Sequence, residues 1–150
     1  IFVLGKNILV GHSGGCSNPE GARWLQHVVG SEYLVQIVAI DPIFPHLDCV
    51  MMTPREGAVF ASIEALPQGL PNFMKDWDLF EIPKALAKSH MSCNNLVLND
   101  QTVVVPAEPE LDFIAHGLKD RKFEVVRLPY RVPCMVGGSF RCAHQPLIRI

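Results

Sequence analysis

A pattern that recurs every forty to fifty residues constrains the fold of this 150-residue chain more than any other feature. Each copy opens with two short apolar runs separated by a turn, which predicts a β-hairpin. The hairpins begin near positions 1, 47 and 94. One such unit cannot bury its own sheet face, so copies must pack side by side, around an axis or along a line. We therefore predict one α/β domain built of units covering roughly 1–45, 46–92 and 93–150.

The first and third copies predict the order strand, strand, helix, strand. In the first copy Asn18-Pro19 predicts the helix start and Gly30 its end, and 33–40 is a buried strand. In the third copy a helix over 108–120 precedes a strand over 123–128. The middle copy has apolar runs at 47–52, 58–62 and 79–82 but no clear helix. The alternative is one open α/β sheet in which the spacing is accidental.

Composition excludes several classes of function. The net charge is −2 and the Lys and Arg residues are scattered, so no footprint for nucleic acid is present. No apolar run approaches the ~20 residues that span a bilayer, so no membrane partner is expected. The five cysteines are odd in number and no pair has CxxC spacing. This usage favours a reducing, cytoplasmic compartment with a free thiol.

Reactive side chains follow the last strand of a unit, where one copy joins the next. His46 and Asp48 follow the first unit, and Cys142 follows the third, shortly after Gly137-Gly138. The equivalent junction after the second unit is the segment 88–92, which runs into Cys93 and Asn94. If the units surround an axis, these junctions lie at one end and their side chains converge. A thiolate is a strong nucleophile, an imidazole moves protons, and a carboxylate pairs with a planar guanidinium. We also expect 46–48 to be a strand, which places His46 and Asp48 on one face.

Each of these residues has a structural alternative. Cys142 is then a buried structural thiol, His46 a loop histidine and Asp48 a turn or capping acid. Arg55 and Arg141 either bind a substrate carboxylate or are solvated. We expect Cys16 to lie in a flexible connection, and Cys49 and Cys93 to pack in the core. The other histidines have no metal-ligand spacing. We therefore expect neither a metal nor a cofactor.

The segment Gly-Gly-Ser-Phe-Arg-Cys at 137–142, with His-Leu-Asp at 46–48 about a hundred residues earlier, resembles a known family. It is the pentein superfamily of guanidino-modifying enzymes, which includes amidinotransferases, arginine deiminases and dimethylarginine dimethylaminohydrolases. The resemblance runs through essentially the whole chain. It implies an α/β propeller of five ββαβ units around a central site, of which this chain holds about three.

The resemblance also implies a mechanism and a substrate. Cys142 would attack the guanidinium carbon of an arginine-like compound, His46 would transfer protons, and Asp48 would hold the guanidinium, with Gly138 and Arg141 also binding substrate. An amine as second nucleophile makes an amidinotransferase, and water makes a hydrolase or deiminase. Gly137 stands where arginine deiminases usually carry an arginine, which favours the amidinotransferase.

Two alternatives to an active enzyme follow from a departure from the family pattern. Further guanidinium-binding acids of the family lie outside these 150 residues, so the chain is either a truncated form or a non-catalytic, pentein-like binding module. Sheet edges left open by the absent units would also permit a homo-oligomer.

Overall fold

A computed structural model describes residues 1–144 of the chain and shows three three-stranded sheets, one from each unit. In every sheet the first two strands are antiparallel, and the third is parallel to the second. The prediction of an α/β fold made of repeated units is confirmed. The alternative of one open sheet is wrong, because the described strands fall into three separate sheets. The family resemblance also implies a closing segment over 143–150, of which residues 145–150 lie outside the described range.

The first unit has the predicted order of elements. Its strands are β1 (Phe2–Leu4), β2 (Asn7–His12) and β3 (Leu34–Ala39), and helix α1 (Pro19–Val29) connects β2 to β3. The helix begins where the sequence predicts, and the Gly21 N–H donates to Asn18 Oδ1 at 2.7 Å, so Asn18 caps it. Gly30 has a φ of 68°, a conformation that glycine adopts without steric cost, and it ends the helix.

The second unit lacks a helix between its hairpin and its third strand. Its elements are β4 (Met51–Arg55), β5 (Ala58–Ala61), β6 (Asp78–Glu81) and α2 (Lys84–His90). Two 3₁₀ turns, Ile63–Ala65 and Asn72–Met74, connect β5 to β6, and α2 follows β6. The strand predicted over 47–52 lies instead at Met51–Arg55, because a 3₁₀ turn occupies Leu47–Cys49.

The third unit again matches the prediction. Its elements are β7 (Leu96–Val97), β8 (Thr102–Pro106), α3 (Asp112–Asp120) and β9 (Glu124–Leu128), followed by the short helix α4 (Arg131–Met135). A 3₁₀ turn over Pro109–Leu111 leads into α3, so the predicted helix over 108–120 begins with a tighter turn.

One hydrophobic core joins the three units. It contains Leu9 from the first unit, Phe60 from the second and Ile114 from the third, each fully buried. Gly117 in α3 faces β6 so closely that a methyl group there would lie 2.3 Å from the Phe80 ring. The units therefore pack side by side, as a repeated half-buried sheet requires. Within residues 1–144, no helix is long and apolar enough to cross a membrane.

Candidate active site

The first strands of all three units line one cleft. Residues of β1, β4 and β7 border an open cavity of about 1160 Å³, together with Asp48 and Arg141. His46 and Cys142 are not among its lining residues, but each lies beside one that is. The cleft therefore runs between the repeated units, with predicted site residues at the place where the units join.

The segment that carries His46 and Asp48 is a 3₁₀ turn, and the prediction that it is a strand is wrong. The turn spans Leu47–Cys49, with the Cys49 N–H donating to the His46 carbonyl at 3.1 Å. Leu47 is only 1% exposed, so its side chain anchors the turn in the core. The polar side chains of this segment still come together, because an imidazole nitrogen of His46, a carboxylate oxygen of Asp48 and the Cys49 sulfur lie within 4.8 Å of one another.

Strand β2 lies directly behind this turn. A methyl group at Gly11 would lie 2.8 Å from Leu47 Cβ and 3.1 Å from the Leu47 backbone nitrogen. The absence of a side chain at Gly11 is therefore what allows the turn to approach the sheet. A single glycine in an apolar strand offered no sequence signal for this contact.

Cys142 lies in an anchored turn with its own side chain exposed. Gly137 reverses the chain with a φ of 92°, and a methyl group at Gly138 would lie 3.4 Å from Cys142 Cβ. Phe140 is 5% exposed, and its ring stacks on that of Tyr130 at a centroid distance of 4.0 Å. The glycines thus leave space beside the thiol, while Phe140 fixes the backbone that carries it.

A buried residue from the second junction connects the other two. The backbone N–H groups of Ser139 and Cys142 donate to Asn94 Oδ1 at 2.9 and 3.2 Å. Asn94 Nδ2 donates to the Asp48 carbonyl at 3.2 Å. The three junctions therefore meet at one place, as the repeat predicts. The repeat predicts a junction at this position, but an asparagine there gives no sequence signal of a role in the site.

The remaining thiols are poorly suited to act as the nucleophile. Burial and the neighbouring Asp48 carboxylate raise the pKa of Cys49 to about 12, and the Cys49 thiol donates to Asp48 Oδ1 at 3.8 Å. Burial also raises the pKa of the Cys93 and Cys134 thiols. Cys16 is exposed but lies in the β2–α1 connection. Cys142 combines an exposed side chain with a backbone N–H that donates to Asn94, which in turn donates to the Asp48 carbonyl.

The spacing of His46, Asp48 and Cys49 is also short enough for a metal ion. A metal binds the thiolate form of cysteine, and the raised pKa of Cys49 disfavours that form.

The two candidate arginines occupy different surroundings. Arg141 lines the cleft together with Asp48, so groups of opposite charge face the same space. Arg55 stacks on the Phe123 ring at 4.2 Å and donates to the Arg121 carbonyl at 3.0 Å. Its guanidinium is therefore engaged by the third unit, and Arg141 is the better placed of the two.

The chain is similar to amidinotransferases in both sequence and fold. It is 28% identical over 150 residues to an L-arginine:L-lysine amidinotransferase of Pseudomonas savastanoi pv. phaseolicola, covering 93% of this chain and 40% of that protein. It is 27% identical to inosamine-phosphate amidinotransferase 1 of Streptomyces griseus, covering 90% and 41%. A solved amidinotransferase of the saxitoxin pathway from Microseira wollei superimposes with a TM-score of 0.79 at 25% identity, covering 93% and 43%.

A citrulline complex of a DDAH from Pseudomonas aeruginosa shares the fold, with a TM-score of 0.71 at 17% identity, covering 91% of this chain and 50% of that one. No family model matches the chain. The likenesses confirm the predicted relationship to the pentein superfamily and its α/β propeller units. The chain spans about 40% of the length of the curated relatives it matches.

Proposed function

We propose that this chain carries the nucleophile and the proton-transfer residue of an amidinotransferase that acts on arginine or a related guanidino compound. The observation that carries the proposal is the meeting of the junctions. Asn94 joins the backbone of the Cys142 turn to that of Asp48, whose carboxylate lies close to the His46 ring. The similarity to amidinotransferases supports the same assignment.

The proposed reaction has two steps around a covalent intermediate. The Cys142 thiolate attacks the guanidinium carbon, and the bond from that carbon to the leaving amine breaks as His46 supplies the amine with a proton. The amidino group then remains on sulfur. An incoming amine attacks the same carbon and gives its surplus proton to His46, and the sulfur leaves as thiolate.

Charges on the cleft wall suit a zwitterionic guanidino acid. The Asp48 carboxylate can pair with the guanidinium through charge-assisted hydrogen bonds, and Arg141 can pair with a substrate carboxylate. Gly138 leaves space beside the Cys142 sulfur for the planar group to approach. Asp48, Arg141 and Gly138 are therefore proposed as substrate-binding residues.

Covalent labelling tests the nucleophile and its charged partner. Chloroacetamidine is a cationic mimic of a guanidinium, and it forms a bond to sulfur with loss of chloride. At pH 7.5 the ratio of its labelling rate to that of iodoacetamide should be higher at Cys142 than at Cys16, because Asp48 attracts the amidinium. Trypsin would release the two exposed cysteines in separate peptides, 7–23 and 142–149. Cys16 therefore provides an internal reference without any substitution.

Two variants give the controls. Asp48→Asn should remove the preference for chloroacetamidine at Cys142 while leaving the iodoacetamide rate of Cys16 unchanged. His46→Ala should reduce substrate-dependent labelling more than labelling by iodoacetamide. Absence of any chloroacetamidine preference at Cys142, in chain shown by circular dichroism to be folded, would refute the proposal.

The acceptor is tested with arginine labelled at the guanidino carbon and with lysine as the amine. Amidino-lysine and ornithine are the products of a transferase, and their appearance in a Cys142-dependent manner would support the proposal. Citrulline and ammonia would instead identify the hydrolase or deiminase alternative. Labelling of Cys142 without either product would identify the binding-module alternative.

Association and location are secondary proposals. Ile1, Val3 and Leu98 border the cleft and are 65%, 51% and 56% exposed, which favours self-association of the chain. Light scattering during gel filtration should show a mass above that of the 16.6 kDa chain. The five free cysteines favour a reducing compartment such as the cytoplasm.

A further inference from the structure

The side chain of Asn94 forms hydrogen bonds to two separate parts of the candidate site, the turn that carries Cys142 and the turn that carries Asp48. Asn94 is 0% exposed and lies between α2 and β7. Its own N–H donates to the Met91 carbonyl at 2.8 Å, so its backbone is fixed independently of the site. A buried amide of this kind is retained only when its donor and acceptor find partners.

Every polar group of Asn94 that faces the site is used. Oδ1 accepts from the N–H groups of Ser139 and Cys142, and the Asn94 carbonyl accepts from the Arg141 N–H at 3.2 Å. Three amides of the nucleophile turn thus converge on one residue. Nδ2 donates in the opposite direction, to the carbonyl of Asp48.

We infer that Asn94 is a positioning residue that fixes the distance between the Cys142 nucleophile and the guanidinium-binding Asp48. The inference rests on the roles proposed above for those two residues. It adds that the junction between the second and third units contributes to the site by holding its two halves together, without touching substrate. The attacking sulfur and the bound carbon must lie within a few tenths of an ångström of the productive geometry, which a shared hydrogen-bonded anchor provides.

The side-chain chemistry explains why asparagine occupies the position. The site needs an acceptor for two N–H groups and a donor for a carbonyl at nearly the same point. An amide supplies both, whereas an ionised aspartate supplies acceptors only. Alanine supplies neither, and the buried Ser139 N–H would then lose its partner.

The test measures how the rate of Cys142 labelling depends on the concentration of chloroacetamidine. The limiting rate at saturation, here called the limiting inactivation rate, reports positioning of the thiol, and the half-saturating concentration reports binding; these are the two inactivation constants. For Asn94→Ala we expect the limiting inactivation rate to fall at least tenfold, because the thiol is misplaced. The half-saturating concentration should change less than threefold, because Asp48 still binds the amidinium. Asp48→Asn should show the reverse pattern, with a raised half-saturating concentration. An unchanged limiting rate in folded Asn94→Ala would overturn the inference.

Gln26→Ala is the matched control for loss of a bridging amide. Gln26 Nε2 donates to the carbonyls of Gly30 and Tyr33, and Gln26 Oε1 accepts from the Val35 N–H, all within the first unit. Its removal should lower the melting temperature without changing either inactivation constant. If Gln26→Ala lowers the limiting rate as much as Asn94→Ala does, general destabilisation accounts for the effect and the inference fails.

A measurement on the unaltered chain keeps the inference testable even if Asn94→Ala does not fold. Amide hydrogen exchange of Ser139 and Cys142 should be at least tenfold slower than that of the exposed Gly15, because Asn94 Oδ1 binds both N–H groups. Exchange as fast as at Gly15 would overturn the inference. This readout needs no guanidino chemistry. If chloroacetamidine shows no preference for Cys142 while the Ser139 and Cys142 amides are protected from exchange, the proposed function fails and the anchoring by Asn94 stands.

Discussion

Replacement of Gly11 by alanine should damage the candidate site from behind. The added methyl carbon would lie 2.8 Å from Leu47 Cβ, whereas ordinary van der Waals contact begins at 3.4 Å. The turn that carries His46 and Asp48 must therefore retreat by about 0.6 Å, the difference between these two distances. Leu47 cannot relieve the clash by rotating its side chain, because its backbone nitrogen lies 3.1 Å from the same methyl group.

The expected magnitudes follow from that displacement. Overpacking of a closed core costs ~1–3 kcal/mol, and loss of chain entropy in the unfolded state returns ~0.4–1 kcal/mol. We therefore expect Gly11→Ala to lower the free energy of unfolding by about 1–2 kcal/mol. A misplacement of ~1 Å can cost ~100-fold in rate. The smaller shift here should slow chloroacetamidine labelling of Cys142 by roughly tenfold.

The assay is urea unfolding followed by circular dichroism, together with labelling of Cys142 measured on peptide 142–149. Gly15→Ala is the control, because a methyl group at Gly15 meets nothing closer than Ser13 Oγ at 4.0 Å. It should leave both stability and labelling nearly unchanged. Wild-type stability and wild-type labelling in Gly11→Ala would refute the reasoning that β2 supports the turn. A loss of stability with normal labelling would show that the sheet, not the turn, absorbs the displacement.

Three further predictions concern other parts of the chain. Lys84 lowers the pKa of Asp41 through a side-chain hydrogen bond. The Asp41 carboxylate therefore stabilises the fold at neutral pH, and this stabilisation is lost as pH falls and the carboxylate is protonated. The difference in melting temperature between wild type and Asp41→Asn should therefore be largest near pH 7 and vanish well below pH 3.8, and a constant difference would contradict it. At pH 8 iodoacetamide should alkylate Cys16 in the folded chain and reach Cys49 only after unfolding, because burial raises the pKa of Cys49 to about 12; equal rates by peptide mapping would count against this. Phe140→Ala should lower the free energy of unfolding in urea by ~3 kcal/mol and slow Cys142 labelling, whereas Phe140→Leu should lower it less. An unchanged unfolding midpoint in Phe140→Ala would disprove the anchoring role.

Sequence alone predicted the parts of the fold whose signals are local. The strands of the first and third units follow from apolar runs, and the limits of α1 follow from Asn18 and Gly30, since capping depends on neighbouring residues. The 3₁₀ turn at 47–49 was missed because it depends on the contact between Leu47 and Gly11, which belong to different units. No local pattern encodes such a contact.

Part of the candidate site was also predictable, because some of its residues give a local sequence signal. Cys142, His46 and Asp48 were selected from residue type, junction position and family resemblance. Asn94 was not, since its role lies in hydrogen bonds to residues 46 and 48 positions away along the chain. An asparagine that bridges two segments has the same sequence signature as one in a turn. Only the packing of the units distinguishes the two.

The long sequence separation of these hydrogen bonds has a consequence for how the protein folds. Closing a chain segment of nearly fifty residues costs more conformational entropy than forming a local hydrogen bond or a hairpin does. The individual sheets, whose hairpins are local, are therefore expected to form early. The bond from Asn94 to Asp48 joins the second and third units and can form only after these two units have docked. We therefore expect the site to assemble late in folding and to open early when docking weakens.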